Sequence, residues 1–298
     1  MKKKVSVIIV NFNSESTIGS CLQSIYKHTA GTDFEIIVVD NASEPASINY
    51  IKDHFSGIKL IQNNENKGFG AANNIGAGYA SGEYLFFLNP DTLLQDNAIE
   101  RFIRFMEKEQ PDAASCGGCL ITKDGDPTTS WGNFPSFLQE LGSTGFSRFF
   151  RWHYEKIRLG KACKNEKHPF QVPFITGADI FIRKKIFHKL GGFDESFFLY
   201  YEETDLFYRL YKAGYKSYIL PDVKIVHLEG TTLLKEEAFN YKTWSFWEKS
   251  RYYYFRKHRG AVVAGMVKTM QAFSFVIQKI TGNRTFQLKK VLKITWRA

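Results

Sequence analysis

Three observations predict an α/β fold built on a central, mostly parallel sheet flanked by helices. Short apolar runs recur through the first 120 residues, helix-period segments lie between them, and acids or amides follow several of the runs directly. Repeated strand–helix–strand units with continuous apolar strands need both faces of the sheet covered.

The elements are expected in this order. Val5–Val10 is an apolar run, followed by a helix from Ile18 to Tyr26 with Ser14 or Ser16 available as its cap. Glu35–Asp40 contains Ile-Ile-Val-Val, a buried strand, and Pro45–Phe55 is a helix with proline at its start. Ile58–Gln62 is a short strand, Gly70–Ala80 a helix of small residues, Tyr84–Leu88 a buried strand and Leu93–Lys108 an amphipathic helix. Residues Thr122–Val172 have weak periodicity and read as a long excursion over the sheet, with some helix around Phe137–Trp152. Order returns with a strand at Phe174–Ile182, a helix at Lys184–Leu190, a turn at Gly191–Glu195 and a helix at Glu202–Ala213. Short strands at Tyr218–Leu220 and Lys224–His227 complete the domain. We expect residues 1–235 to form this domain, in halves 1–120 and 121–235, and residues 236–298 to form a basic, aromatic, helical tail.

The chain has 298 residues, 44% hydrophobic and 16% aromatic, which supports a substantial core and excludes wholesale disorder. The N-terminal apolar run is too short for a signal-peptide core, and no stretch of uninterrupted apolar residues is long enough for a clear transmembrane helix. Four cysteines do not make a disulfide framework in a chain of this size; Cys116 and Cys119 read as two ordinary thiols, and the usage suits a reducing compartment. The net charge of +10 is uneven: residues 249–298 hold twelve Lys plus Arg and no acid, leaving 28 basic and 30 acidic groups on the preceding 248. In this tail Val263, Met266, Val267, Met270, Phe273, Ile277 and Ile280 follow helical spacing, with Lys and Gln between them. Such a helix either packs on its own domain or lies on an anionic membrane surface; the lack of any acid favours the membrane.

Three clusters carry chemistry, each where an open sheet places its site. Asp40 and Asn41 follow the second strand; a carboxylate there accepts the imide N–H of a pyrimidine base or, alternatively, closes an Asx turn. Asn89 and Asp91 end Leu88-Asn-Pro-Asp. Asp91 is a hard oxygen ligand for Mg2+ or Mn2+ bridging two phosphates, unless the segment only caps a helix. Glu202, Glu203 and Asp205 open a helix, where one carboxylate serves as general base, or all three simply favour the helix dipole. His227, at a strand end, is a further candidate metal ligand. Gly68-Phe-Gly70-Ala-Ala-Asn73 nearly matches a dinucleotide fingerprint, but its third position is Asn and it follows the third strand, not the first.

Taken together, Val7–Ser14 (with Asn11), Val38–Ser43, Asn66–Gly76 (with Lys67 and Asn73) and Leu88–Asp91 resemble the nucleotide-binding half of family 2 glycosyltransferases. Thr176-Gly177-Ala, Gly191–Glu195, Phe198–Leu206, Gly214-Tyr and Pro221–His227 resemble the acceptor half of its rhamnosyltransferase-like branch. The resemblance spans residues 5–230. It implies a GT-A fold and an inverting transfer of a sugar, with dTDP-rhamnose suggested, from a nucleotide diphosphate to a saccharide or polyprenyl-linked hydroxyl. It assigns Asn11, Asp40, Asn41, Lys67, Asn73, Asn89 and Asp91 to the donor, Gly177, Asp179 and Asp205 to the acceptor, Glu203 or Glu202 to catalysis, and Asp91 with His227 to the metal. Asn89 stands where other members carry the first acid of an Asp-x-Asp motif, and Glu203 where they carry an aspartate base. The basic aromatic tail suits docking at the cytoplasmic face of the membrane, where a lipid-linked acceptor would sit, which favours cell-surface polysaccharide or O-antigen assembly; the Thr122–Val172 excursion, by excluding water, would limit donor hydrolysis.

Other classes fit less well. A nucleic-acid-binding protein explains the basic tail but not acids at three successive element ends. A pyrophosphorylase would carry a Gly-rich first loop with Arg. A catalytically inactive GT-A sugar-binding scaffold is the alternative that Asn89 and Glu203 keep open.

Overall fold

The structure, a computed structural model, describes residues 3–144, 151–157, 159–228, 240–282 and 286–298. The first half is β1 (Val5–Asn11), α1 (Ile18–His28), β2 (Phe34–Asp40), α2 (Pro45–His54), β3 (Lys59–Gln62), α3 (Phe69–Tyr79) and β4 (Tyr84–Leu88). Then follow β5 (Thr92–Leu94), α4 (Ala98–Arg104) with a π-helical turn at Phe105–Glu109, and β6 (Ala113–Ile121). The excursion holds β7 (Thr129–Gly132), α5 (Phe137–Ser143), α6 (Arg151–Ile157), β8 (Gly160–Ala162) and β9 (Phe170–Val172). The remainder is β10 (Phe174–Ile175), β11 (Asp179–Arg183), α7 (Lys184–Lys189), α8 (Glu202–Lys212), β12 (Lys216–His227), α9 (Tyr241–Arg259), α10 (Ala261–Ile280) and α11 (Leu288–Arg297).

Nine strands form one sheet in the order β3-β2-β1-β4-β11-β6-β12-β5, with β9 also on β12. β3, β2, β1 and β4 run parallel, as do β6 and β12; β11 is the antiparallel strand between the two groups. The period of two explains how β1 serves both faces. Val7 and Ile9 join the core under α1 and α4, while Ile8 and Val10 join the core under α3, α7 and α8. A fully buried side chain of this size stabilises by roughly 2 kcal/mol. The small residues of α3 have a reason: a Cβ at Gly76 would lie 2.5 Å from a methyl of Ile8, so the helix packs directly on the sheet.

Several expectations are corrected. Leu93 and Leu94 do not begin a helix; they lie in β5, which runs antiparallel to β12 with Thr92 opposite His227. The strand expected over 174–182 is split into β10 and β11, in different sheets. The two short strands at 218–227 are one strand, β12, whose register shifts between Leu220 and Lys224. The helix expected around 137–152 is two short ones, and residues 145–150 lie outside the described residues. Ser14 caps α1 by its backbone carbonyl, not its side chain. Cys119, far from being an isolated thiol, is bonded to Cys163 across 44 residues, their Cα atoms 5.8 Å apart, while Cys21 and Cys116 are buried and free. The reading of Cys119 as an ordinary thiol is thus corrected: its partner comes from the excursion.

The tail packs on its own domain. α9 buries Tyr252, Tyr254 and Phe255 against Phe197 and Tyr201, and Val267 of α10 joins the same cluster. Arg251, almost fully buried, pairs with Glu140 of α5 at 3.1 Å and with Glu248 at 2.6 Å. By length and composition α10 is long and apolar enough to cross a membrane, with a third of that stretch buried.

Candidate active site

The carboxyl ends of β1, β2 and β4, the loop before α3 and the start of α9 enclose a cavity of about 610 Å3. Asn41, Asn66, Gly68, Asn89 and Asp91 line it. Asn41 holds the loop over residues 63–68: its amide donates to Asn66 Oδ1 at 2.8 Å and to the Gly68 carbonyl at 3.2 Å, and its oxygen accepts from Asn63 and from the Lys67 amide. Gly68 has φ +86°, and a Cβ there would lie 2.2 Å from the Phe198 carbonyl, so no other residue lets this loop approach the 197–201 segment.

β5 positions the next group. Because Thr92 pairs with His227, and the Leu228 amide donates to the Asp91 carbonyl at 2.8 Å, His227 Nε2 comes within 3.3 Å of Asp91 Oδ1. Among the described residues no group of three or more Asp, Glu, His or Cys gathers to hold a metal. An Asp–His pair beside a cavity is nonetheless a fitting donor set for a divalent ion that takes its other ligands from phosphates and water.

A second cavity, of about 260 Å3, adjoins the first; Phe69, Asn89 and Leu199 line both. Its wall carries Gly177, Tyr200, Glu202, Glu203 and His227. Tyr200 and Tyr201 both have φ of 68°, a left-handed conformation disfavoured for bulky residues. This double turn launches α8 so that Glu202 and Glu203 face the cavity. Burial pushes both carboxyls up. Glu203 rises to about 7, with backbone N–H groups of residues 203 and 204 pulling the other way. Glu202 rises well above the usual range, the charge of Glu203 adding to burial. Glu202 Oε2 is buried without a hydrogen-bond partner, the environment of a neutral acid.

Other expected site residues lie elsewhere. Asp40 is fully buried, its oxygens accepting from Asn11 Nδ2 at 2.7 Å and the Ser43 amide at 3.1 Å, so it and Asn11 brace the loop behind the cavity wall. Asn73 donates to the Phe69 carbonyl inside α3, and Lys67 is exposed and paired with Glu65. Asp179 is buried in β11 and accepts from the Gly118 amide; burial pushes its carboxyl well up. Asp205 points away from Glu203 and is bound by Arg209, Lys257 and His258. None of these six lines either cavity. The physical reason is shared: a polar residue beside a cleft finds partners within the protein as readily as in a ligand. Sequence reasoning missed Phe69, which divides the cavities, and Lys242 and Phe246, which α9 contributes to the first.

Residues 6–191 match the glycosyl transferase family 2, and the chain belongs to that family. It is similar to the rhamnosyltransferase WbbL of Escherichia coli K12, with 25% identity over 75% of this chain and 83% of that one. It is also similar to the N-acetylglucosaminyl-diphospho-decaprenol L-rhamnosyltransferase of Mycobacterium tuberculosis, with 26% identity over 64% of this chain and 66% of that one. Among solved structures, the mannosyltransferase PcManGT of Pyrobaculum calidifontis, in complex with GDP-Man and Mn2+, superposes with a TM-score of 0.58 at 14% identity, covering 98% of this chain and 79% of that one. GalNAc-T7 with UDP, GalNAc and Mn2+ gives the same TM-score at 19% identity, over 76% of this chain and 44% of that one. These two likenesses concern the fold, which is GT-A. The protein is a glycosyltransferase.

Proposed function

We propose that the enzyme transfers a sugar, with inversion, from a nucleoside diphosphate to a hydroxyl of a saccharide or lipid-linked saccharide in cell-surface polysaccharide assembly. Rhamnose from dTDP-rhamnose is the favoured donor, given the two rhamnosyltransferase relatives. The observation that carries the reading is the pair of adjoining cavities sharing Phe69, Asn89 and Leu199, with Asp91 on one and Glu203 on the other.

The donor's nucleotide occupies the larger cavity, between the Asn41-braced loop and Asp91. Asp91 and His227 would hold Mg2+ or Mn2+, which when bound would supply positive charge to the diphosphate. The acceptor enters the smaller cavity with its hydroxyl toward Glu203. Glu203 takes the hydroxyl proton as the acceptor oxygen forms its bond to C1; the C1–O bond to the diphosphate breaks, and its electron pair leaves with the nucleotide. A carboxyl raised to about 7 suits a base working near neutral pH. Glu202, held neutral, is a positioning neighbour rather than a second base. An inactive scaffold would have no use for this pair, which speaks against that alternative.

The outer face of α10 exposes Val262, Met266, Phe273, Ile277 and Ile280, at helical spacing, with Trp296 of α11 exposed as well. Lys289, Lys290 and Lys293 stand on α11. We place this face on the anionic, cytoplasmic surface of the membrane, where a lipid-linked acceptor is presented. The Cys119–Cys163 pair would meet a reducing medium there. Flotation with anionic against neutral vesicles tests this placement: recovery with neither refutes it.

The test of the function itself is a thermal-shift panel of nucleoside diphosphates and their sugars with Mn2+, Mg2+ or chelator, followed by transfer assays. Stabilisation that needs metal and vanishes in Asp91→Ala supports the donor site. No shift with any nucleotide in a folded protein refutes the reading.

A further inference from the structure

The first turns of α9, outside the family match at residues 6–191, belong to the donor cavity. Lys242 and Phe246 are one helical turn apart, so they share a face, and both line the 610 Å3 cavity. Phe246 packs its ring 4.6 Å from that of Phe198 on the same wall. Arg251 and the aromatic cluster of Tyr252, Tyr254 and Phe255 fix the rest of the helix to the domain, which sets where its first turn lies.

Of the described residues lining this cavity, Lys242 is the sole cation and Asp91 the sole acid. Lys242 is exposed, and none of the ion pairs among the described residues engages it. The helix terminus is not itself the attraction for an anion. Its leading amides, of Lys242 and Thr243, already donate to Asn240 Oδ1 at 3.0 Å each. What the helix brings to the cavity wall without an ion-pair partner among the described residues is the Lys242 side chain.

We propose that Lys242 is a diphosphate-binding residue of the donor site. This deepens the glycosyltransferase reading above and rests on it. A nucleotide-sugar diphosphate carries two negative charges, and a third develops when the C1–O bond breaks and its electron pair passes to the departing phosphate oxygen. Asn89 contributes no charge, so what this wall can set against the build-up is the ammonium of Lys242 and the divalent ion that Asp91 would hold. Lys242 donates N–H hydrogen bonds to the phosphate oxygens and keeps its proton throughout. An ammonium–phosphate contact of this kind is charge-assisted and gains strength as the negative charge grows.

The experiment is calorimetric titration of the full chain and of Lys242→Met and Lys242→Arg with dTDP, UDP and GDP, and with the matching monophosphates. Each is run with Mn2+ and with chelator. Because Lys242 is exposed, neither substitution threatens the fold, and thermal melting without ligand checks this. The expected result is that Lys242→Met weakens diphosphate binding about tenfold, equivalent to ~1.4 kcal/mol, with monophosphate binding nearly unchanged. Lys242→Arg should retain most of the affinity, and the salt dependence of diphosphate binding should flatten in Lys242→Met. Equal diphosphate affinity of wild type and Lys242→Met overturns the assignment while leaving the donor site standing. Failure of the wild type to bind any nucleotide, with metal or without, overturns both.

Discussion

Nε2 of His258 lies 2.7 Å from Oδ1 of Asp205, two residues beyond Glu203, and Lys257 Nζ lies 2.6 Å from the same oxygen. α9 thereby grips α8, the helix that carries the candidate base. Arg209, one turn along α8, takes the other oxygen at 2.8 Å. Asp205 is fully buried. Burial alone would raise its carboxyl, but the hydrogen bonds and charges of His258, Arg209 and Lys257 outweigh it and hold the carboxyl below the usual range. A lowered folded value means stability that is present above pH ~4 and lost as pH falls through the depressed value. Asp205→Asn should therefore destabilise the protein at pH 7 by about 3 kcal/mol, since Arg209 and Lys257 lose a buried carboxylate and His258 loses its hydrogen-bond partner. Its stability should also fall less steeply below pH ~4. Urea unfolding of both proteins from pH 7 to 3 measures the difference; parallel curves would show that the grip contributes nothing.

Glu203→Gln should lower kcat by roughly 10²–10⁴-fold, the range of a general base, while donor binding by calorimetry stays near wild type. Because the group must be ionised to accept a proton and its carboxyl is raised to about 7, wild-type activity should fall as pH drops below about 7. The Glu202–Glu203 pair titrates together, so the limb belongs to the pair. An acid limb near pH 4 would mean the carboxyl is not held in the environment described here.

How much of this was legible beforehand divides along physical lines. The parallel strands were legible because Val7–Val10, Ile36–Val39 and Tyr84–Leu88 are continuous apolar runs that only a sheet covered on both faces accommodates. β5 was not: Thr92–Leu94 is three residues long, and Leu93 and Leu94 continue into a helical pattern. Only its pairing with β12, more than a hundred residues away, makes it a strand, and that pairing is also what brings His227 to Asp91. Glu202, Glu203, Asn41, Asn89 and Asp91 were placed at cavity walls by their positions at element ends. Asp40 and Asp205 had the same signature and turned inward, as did Asp179, which only the family resemblance singled out, because the choice between ligand and internal partner depends on neighbours distant in sequence. The tail hid most. Its lack of acids drew attention to membranes, while the Lys242–Phe246 spacing and the aromatic residues facing Tyr201 were visible only once α9 was docked.

Trp247 should affect catalysis without itself lining either cavity. Its ring lies 5.5 Å from Tyr200 and 5.1 Å from Tyr201, and Ser250 Oγ donates to the Leu199 carbonyl at 2.8 Å. Left-handed backbone at two tyrosines costs on the order of 1 kcal/mol or more each and persists only where packing imposes it. Trp247→Ala removes that packing, so the turn relaxes and the carboxyls it aims are misplaced. We expect kcat to fall about tenfold or more, of the scale that small misplacements produce, with KM for the donor little changed and Trp247→Phe restoring most of the rate. A loss that appears only in KM, or that phenylalanine does not rescue, would point to a general loss of structure.

Arg251 decides where the tail resides. It is 4% exposed, and so is its partner Glu140, while Glu248 is fully buried; the three charges lie between α5 and the tail helices. Arg251→Met would leave two carboxylates buried without a counter-ion, an arrangement that destabilises by roughly 3–5 kcal/mol. Adding Glu140→Gln and Glu248→Gln to the same chain should recover much of the loss, since the charges then disappear together. Both are read by urea unfolding without lipid. If the tail instead left the domain for a bilayer, Arg251 would be solvated in the free protein and Arg251→Met would unfold like the wild type. The apolar outer face of α10 is compatible with docking, because Val262, Met266 and Phe273 stay exposed while Val267 and Phe275 are buried. A tail held by Arg251 thus keeps Lys242 and Phe246 at the larger cavity while leaving the outer face of α10 exposed.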